Sequence, residues 1–272
     1  NEIEEPISVY WEDRRPDGKR ILQGEAEASG GELRLNAYAD HIFSYDHGGE
    51  RHFVVAPSGQ DEAFVVLLGV WKDIPVVCTT TAEGSQLTNQ ELRILVKPYW
   101  SPKGAAHFLD LVRMGYYNGV ALNRVVPGFL TQFGISADFD LRKEMRTRQI
   151  KDDPKPSDPE VPFKPGMLSY AGSGPDSRTT EIFVVMPDAP QSQLNYFGVN
   201  PWETPFAVVD GAVENTPVAK WYAYGDMPPW GEGPDPQKMY QADGYEYLAR
   251  EFPKMDFIES CVIERMAAKE EL

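Results

Sequence analysis

Short apolar runs broken by turn residues dominate the first part of the chain. ISVYWED (7–13), KRILQG (19–24), ELRLNAY (32–38), HIFSYD (41–46), RHFVVAP (51–57) and AFVVLLG (63–69) carry aromatic and β-branched residues, and Arg15-Pro16-Asp17-Gly18 supplies a polar turn. This pattern predicts a small all-β, sandwich-like module over residues 1–70. From Ile74 the runs lengthen. IPVVCTTT (74–81) and ELRILVKPYW (91–100) predict a strand pair around Ala82-Glu83-Gly84-Ser85. A helix should follow at once, with Ser101 as N-cap and Pro102 in the first helical position. Ala105, Phe108, Leu109 and Val112 recur at i, i+3, i+4 and i+7, so one apolar stripe is available for burial, and Gly115 sits where a C-terminal cap is wanted.

Downstream, residues 122–135 read LNRVVPGFLTQFGI, in which Arg124 stands among apolar and turn residues. A strand here would deliver a guanidinium and a hydrophobic wall to one surface. Residues 137–164 are polar and proline-rich with no clean period, which predicts a long loop. Its basic residues Arg142, Lys143, Arg146, Arg148 and Lys151 could meet an acidic partner, although interleaved acids favour a solvated face. Further strands are expected at 165–185 and in PFAVVDGAV (205–213). A short helix from Thr216-Pro217 through Trp221 and Tyr222, a helical YEYLAREF (245–252) and a final strand DFIESCVIE (256–264) complete the pattern.

Composition narrows the function classes. The chain has 272 residues, 42% of them hydrophobic, enough for a sizeable core. A net charge of −16 disfavours duplex nucleic acid or anionic membrane as the main partner. Residues 1–70 hold fourteen acidic and six basic residues, so half of that charge lies in about a quarter of the chain and suggests a docking face. No stretch is apolar enough to span a bilayer, and a chain beginning at Asn1 suggests a soluble, processed organellar or secretory-pathway product. His41, His47 and His52 have neither helical i,i+4 spacing nor an alternating set with acidic partners, so no metal or other cofactor is expected. Two cysteines, Cys78 and Cys261, are too few for a disulfide scaffold, and free thiols are expected.

Two blocks carry a family resemblance. LNRVVPGFLTQFGI resembles the cyclophilin signature Phe-His-Arg-Val-Ile-Pro-Gly-Phe-Met followed by Gln and Gly, and PGMLSYAGSGPDSRTTEIFVV (165–185) is similar to a second cyclophilin block in the same order. Arg178-Thr179-Thr180-Glu181, Pro205-Phe206-Ala207 and Phe252-Pro253-Lys254-Met255-Asp256-Phe257-Ile258 look most like the extended, bacterial-type branch. The resemblance implies a mainly β fold for residues 71–272, a closed antiparallel eight-stranded barrel with capping helices. It also implies peptidyl-prolyl cis/trans isomerase activity on X-Pro bonds of protein segments. Arg124, Phe129 and Gln132 would be catalytic, and Leu130, Gly172, Glu181, Phe183 and Leu194 would bind substrate. Asn123, Glu181, Gly172 and Gln193 replace the family's His, Gln, Asn and Trp, so a binding or assembly subunit with weakened turnover is the alternative. An open pocket beside Phe129 and Phe183 would favour the enzyme, and a pocket filled by the chain would favour the alternative.

Within the acidic module, VYWEDRRPDGKR followed by LRLNAYADHIFSYD is similar to the β domain of the von Hippel-Lindau tumour suppressor. Tyr38, His41 and Phe43 match positions that help bind hydroxyproline in that family, with Ala37 in place of a serine and Phe43 in place of a tryptophan.

Overall fold

The computed structural model describes residues 6–12, 19–26, 42–47, 50–55, 73–153, 161–200 and 202–264. Two antiparallel sheets account for its strands. The first contains β1 (Ile7–Glu12), β2 (Arg20–Ala26), β3 (Ile42–His47) and β4 (Glu50–Val55) in the order β2-β1-β3-β4. The described residues of the N-terminal module form one four-stranded sheet. The runs 32–38 and 63–69, with Ala37, Tyr38 and His41, lie outside the described residues. Phe43 faces Trp11 across the β1–β3 ladder and is buried.

The second sheet begins with β5 (Ile74–Ala82) and β6 (Leu87–Val96), joined by a turn in which Glu83, Gly84 and Ser85 all have positive φ. Buried Asp256 accepts from the Gly84 and Ser85 amides at 3.1 and 2.7 Å, which ties this left-handed turn to the C-terminal strand. Helix α1 (Pro102–Arg113) buries Ala105, Phe108, Leu109 and Val112 as the period requires. It is followed by β7 (Val120–Ala121), β8 (Arg124–Val126) and β9 (Leu130–Phe133).

The next segment departs from the expected loop, because residues 139–145 form a helix, α2 (Phe139–Met145), capped by the Asp138 carboxylate on the Leu141 amide at 2.9 Å. No apolar stripe announces it. Its buried face is Met145 and the stem of Arg142, whose guanidinium donates to the carbonyls of Ser136, Ala137, Gln241 and Ala242. The basic residues of this segment serve the fold in other ways too. Arg148 pairs with Glu144, Lys151 with Asp176, and Arg146 lies over the Tyr240 ring.

Strands β10 (Met167–Tyr170), β11 (Ile182–Val185), β12 (Ala207–Val209) and β13 (Phe257–Ile263) complete the sheet, with α3 (Gln191–Tyr196), α4 (Pro236–Met239) and α5 (Gly244–Glu251) between them. The helix expected from Thr216 is a short 3-10 turn over Pro217–Lys220 that stops before Trp221. Strand order is β7-β13-β5-β6-β12-β10-β11-β9-β8. The sheet therefore has nine strand segments instead of a closed ladder of eight. Its two edge strands, β7 and β8, are consecutive in the chain and separated only by Leu122 and Asn123, so the covalent chain brings the edges together. The fold is mainly β, with an interior of Val76, Ile94, Leu122, Val125, Ile182 and Val184 among others.

The cysteines contradict the expectation of free thiols. Cys78 and Cys261 face each other in the β5–β13 ladder, and their sulfurs are bonded with the Cα atoms 4.0 Å apart. Strand pairing alone brings them together. The register, which the sequence leaves open, decides between a bridge and two separate thiols.

Candidate functional site

Alternation along three neighbouring strands separates the barrel core from the site. Val125, Phe133, Ile182 and Val184 point inward, so Arg124, Leu130, Gln132, Phe183 and Val185, one residue out of phase, share the opposite face. Arg124 pairs with Gln132 across β8–β9, and Gln132 pairs with Phe183 across β9–β11. The three side chains form one cross-strand row.

The polar end of this row is a connected network. Arg124 donates from Nη1 to Gln132 Oε1 at 3.0 Å, and from Nε and Nη2 to the two oxygens of Asp226 at 2.7 and 3.1 Å. Gln132 Nε2 donates to Glu181 at 2.8 Å, while the Tyr240 hydroxyl donates to the other Glu181 oxygen, also at 2.8 Å. Burial and the adjacent Glu181 carboxylate push the Tyr240 phenol well above its ordinary range and keep it a donor. Glu181 thus braces Gln132 and makes no pair with Arg124. The partner of Arg124 is Asp226, which sequence reasoning missed because it lies 102 residues away in a turn-rich stretch. An isolated bridge between Val125 and Gly225 carries Asp226 to the guanidinium. The tight turn holding Asp226 is closed by the Gly233 amide donating to its carbonyl at 2.8 Å.

A guanidinium has five N–H donors, and three are used here. One N–H on each terminal nitrogen of Arg124 remains, on a side chain that is 14% exposed. The cation also lies 5.4 Å from the centre of the Phe129 ring.

The apolar end gathers Leu130 and Phe183 with Phe163, Met167, Val185, Ala189 and Phe197, and Phe129, Leu194 and Trp100 pack against them. This cluster is distinct from the barrel interior. The predicted apolar residues Phe129, Leu130, Phe183 and Leu194 are therefore brought together. Two further aromatic residues alter the site. Phe197, just beyond α3, is stacked on Phe129 and on Phe183, each with ring centres 5.2 Å apart and planes within 17° and 22°. Such contacts leave no gap for another ring between Phe197 and either neighbour. Gly172 lies against Trp202, whose indole would be 2.5 Å from a Cβ added at Gly172, so an asparagine there would collide with it. Asn123 is buried, and its amide has no hydrogen-bond partner among the described residues.

Behind Phe197 is a cleft of ≈ 290 Å³, lined by Val161, Phe163, Leu194, Val199 and Pro205 together with polar groups such as Glu203. Among the described residues no cluster of His, Cys, Asp and Glu is arranged to hold a metal, and no helix is long and apolar enough to cross a membrane.

Residues 81–210 match the model of the family described as cyclophilin type peptidyl-prolyl cis-trans isomerase/CLD. A probable peptidyl-prolyl cis-trans isomerase of Brucella abortus (strain 2308) is 30% identical over 112 residues, covering 39% of this chain and 57% of that protein. A peptidyl-prolyl cis-trans isomerase-like 1 protein of Bos taurus is 30% identical over 97 residues, covering 34% and 57%. The chain thus spans little more than half the length of these curated relatives. A crystal structure of a Cryptosporidium parvum cyclophilin type peptidyl-prolyl cis-trans isomerase covers 72% of this chain and 99% of its own, at 17% identity and a TM-score of 0.43.

Proposed function

We propose, from the match of residues 81–210 to the cyclophilin-type family model, that the chain is a peptidyl-prolyl cis/trans isomerase acting on X-Pro bonds of protein segments. The observation that carries this reading is the cross-strand row of Arg124, Gln132 and Phe183, which ends in the apolar cluster with Phe129, Leu130 and Leu194.

The barrier to be lowered, about 18–20 kcal/mol, comes from amide resonance, so neither a nucleophile nor proton transfer is needed. Twisting the X-Pro bond localises the nitrogen lone pair and removes double-bond character. A fixed donor beside the twisted amide then binds it better than the planar one, which is what a catalyst requires. Arg124 is fixed by three bonds and keeps two N–H groups for this purpose. Gln132 is the positioning residue, oriented by Glu181. Glu181 in place of the expected glutamine is compatible with this arrangement, since both its oxygens accept bonds within the network. The cysteine bridge fits an oxidising compartment, and the acidic stretch of residues 1–70 fits a role in docking a basic protein surface.

Phe197 favours a second reading, a domain that binds proline segments without turnover, because its ring stands where the prolyl ring would rest. An isomerisation assay on a proline-containing peptide separates the two. For an isomerase, Arg124→Ala should lower kcat/KM by roughly 10²–10³-fold, the cost of removing one preorganised donor. Equal rates for wild type and variant would overturn the assignment of Arg124. Absence of turnover in wild type and in variants with an opened pocket would favour the binding reading.

A further inference from the structure

Phe197 belongs to the segment 190–205, which begins at Pro190, forms α3 and returns to β12. Phe197 is almost fully buried, yet Tyr196 just before it is 59% exposed and Val199, two positions after it, is 67% exposed. Nothing polar on the Phe197 side chain holds it, and it borders both a group of rings and the cleft, with Phe163 belonging to each. The rings are Phe129, Phe183 and Phe163, with centres at 5.2, 5.2 and 5.5 Å. The cleft of ≈ 290 Å³ has Phe197 itself as one wall. The cleft, lined by Gln191, Asn195 and Glu203 as well as by apolar side chains, is larger than the roughly 150 Å³ that accepts a benzene molecule, so there is room for a phenyl group against its apolar wall.

From this geometry we infer that Phe197 is the gate of the prolyl slot, in resting contact with Phe129 and Phe183 and displaced toward the Val161, Leu194 and Pro205 cleft when a prolyl ring enters. The inference rests on the isomerase reading for its ligand, a proline-containing peptide, and on the ring contacts for its mechanism. In the closed arrangement the slot is filled by the protein's own phenyl group. Entry of the ligand exchanges one apolar ring for another on the faces of Phe129 and Phe183, and little apolar surface there is left bare. Gly198, at φ +76°, adjoins the moving residue and is held by its amide donating to Glu203 at 2.9 Å. A Cβ at Gly198 would lie 3.0 Å from the Phe163 ring, so the backbone behind the gate is anchored and the motion belongs to the side chain.

A closed gate lowers apparent affinity by the fraction of molecules in which the slot is open. Removing the ring should therefore tighten binding of a short Ala-Ala-Pro-Phe amide. If the slot is open in about a tenth of molecules, the gain is roughly tenfold. The peptide is titrated by calorimetry into wild type, Phe197→Ala and Phe197→Leu, and isomerisation is measured on the same samples. Phe197→Leu keeps most of the volume and guards against loss of the fold, which circular dichroism checks. Tighter binding by Phe197→Leu supports the gate whether or not turnover accompanies it, and turnover missing throughout would count only against the isomerase reading. Unchanged or weaker binding by a folded Phe197→Leu overturns the gate, and turnover by wild type in that case leaves the isomerase reading standing.

Discussion

Two arginines in this domain each meet aspartate across a loop, and their settings give them opposite work. Arg178 and Asp153 are both fully buried, with Nη1 and Nη2 of the arginine each 3.1 Å from Asp153 Oδ2. The same carboxylate accepts from the Ser101 hydroxyl at 2.5 Å and from the Lys103 and Gly104 amides at 3.0 and 2.9 Å, at the start of α1. The bonds of that pair join the start of α1, the segment around Lys151 to Asp153 and the connection between β10 and β11 that carries Arg178. Arg124 and Asp226 are 14% and 22% exposed, and Arg124 retains two N–H groups with its cation 5.4 Å from the Phe129 ring centre. A cation closed in on all sides is a structural tie, whereas one left partly open can bind something else. Residue type and partner alone do not distinguish them.

The largest expected effect tests the closed member. Asp153→Ala strips three donors of α1 and leaves Arg178 charged in the interior, a change that costs about 3–5 kcal/mol in comparable buried pairs. Denaturant titration should find a loss of that size. A loss below about 1 kcal/mol, the range of surface pairs, would erase the distinction between the two sites.

Next is Asp226→Ala at the open member. Water can solvate the released Arg124, so the stability cost should stay within about 1 kcal/mol. Turnover should respond more strongly. Two of the three bonds that orient the guanidinium are lost, and a displacement of about 1 Å in a positioned group can cost up to 10²-fold in rate. A fall of roughly tenfold in kcat with little change in KM is expected. An unaltered kcat would mean that Gln132 alone orients Arg124.

These two sites also mark how far the sequence could be read. Arg124, Leu130, Gln132 and Phe183 share one face by local alternation, and a short motif that the sequence displays carries Arg124, Phe129, Leu130 and Gln132 together. The strand pair, α1 and α5 followed from simple periods. Asp226, Phe197 and Trp202 were not legible, since each reaches the site through a turn-rich connection whose course no period encodes. The disulfide depended on a register between strands 183 residues apart. Helix α2 was hidden because an arginine stem covers part of its buried face. The motif Arg178-Thr179-Thr180-Glu181 was visible, but the buried carboxylate that gives Arg178 its role lay in the stretch read as loop.

The smallest effect sharpens the closed site through its neighbour His107. This imidazole donates from Nε2 to the Thr179 carbonyl at 2.8 Å, which requires the tautomer protonated on that nitrogen. Burial, chiefly, pushes its pKa below the ordinary 6.5, with Arg178 and Arg148 adding in the same direction against the Thr179 bond and Asp110. The folded state therefore disfavours the imidazolium that the unfolded chain forms readily. Above pH 6.5 the histidine is neutral in both states and exerts no pH-linked penalty. As pH falls below 6.5 the unfolded chain takes up the proton first, so stability declines until the folded pKa is passed, with a slope of at most about 1.4 kcal/mol per pH unit. His107→Gln, which keeps an amide donor for Thr179, should flatten the stability profile between pH 6.5 and 5 relative to wild type. The two profiles are compared by thermal unfolding at matched ionic strength, so that other titrating groups cancel in the difference. Parallel profiles would mean that the imidazolium is tolerated beside Arg178, and that the interior around the closed pair is more accessible to water than its zero exposure implies.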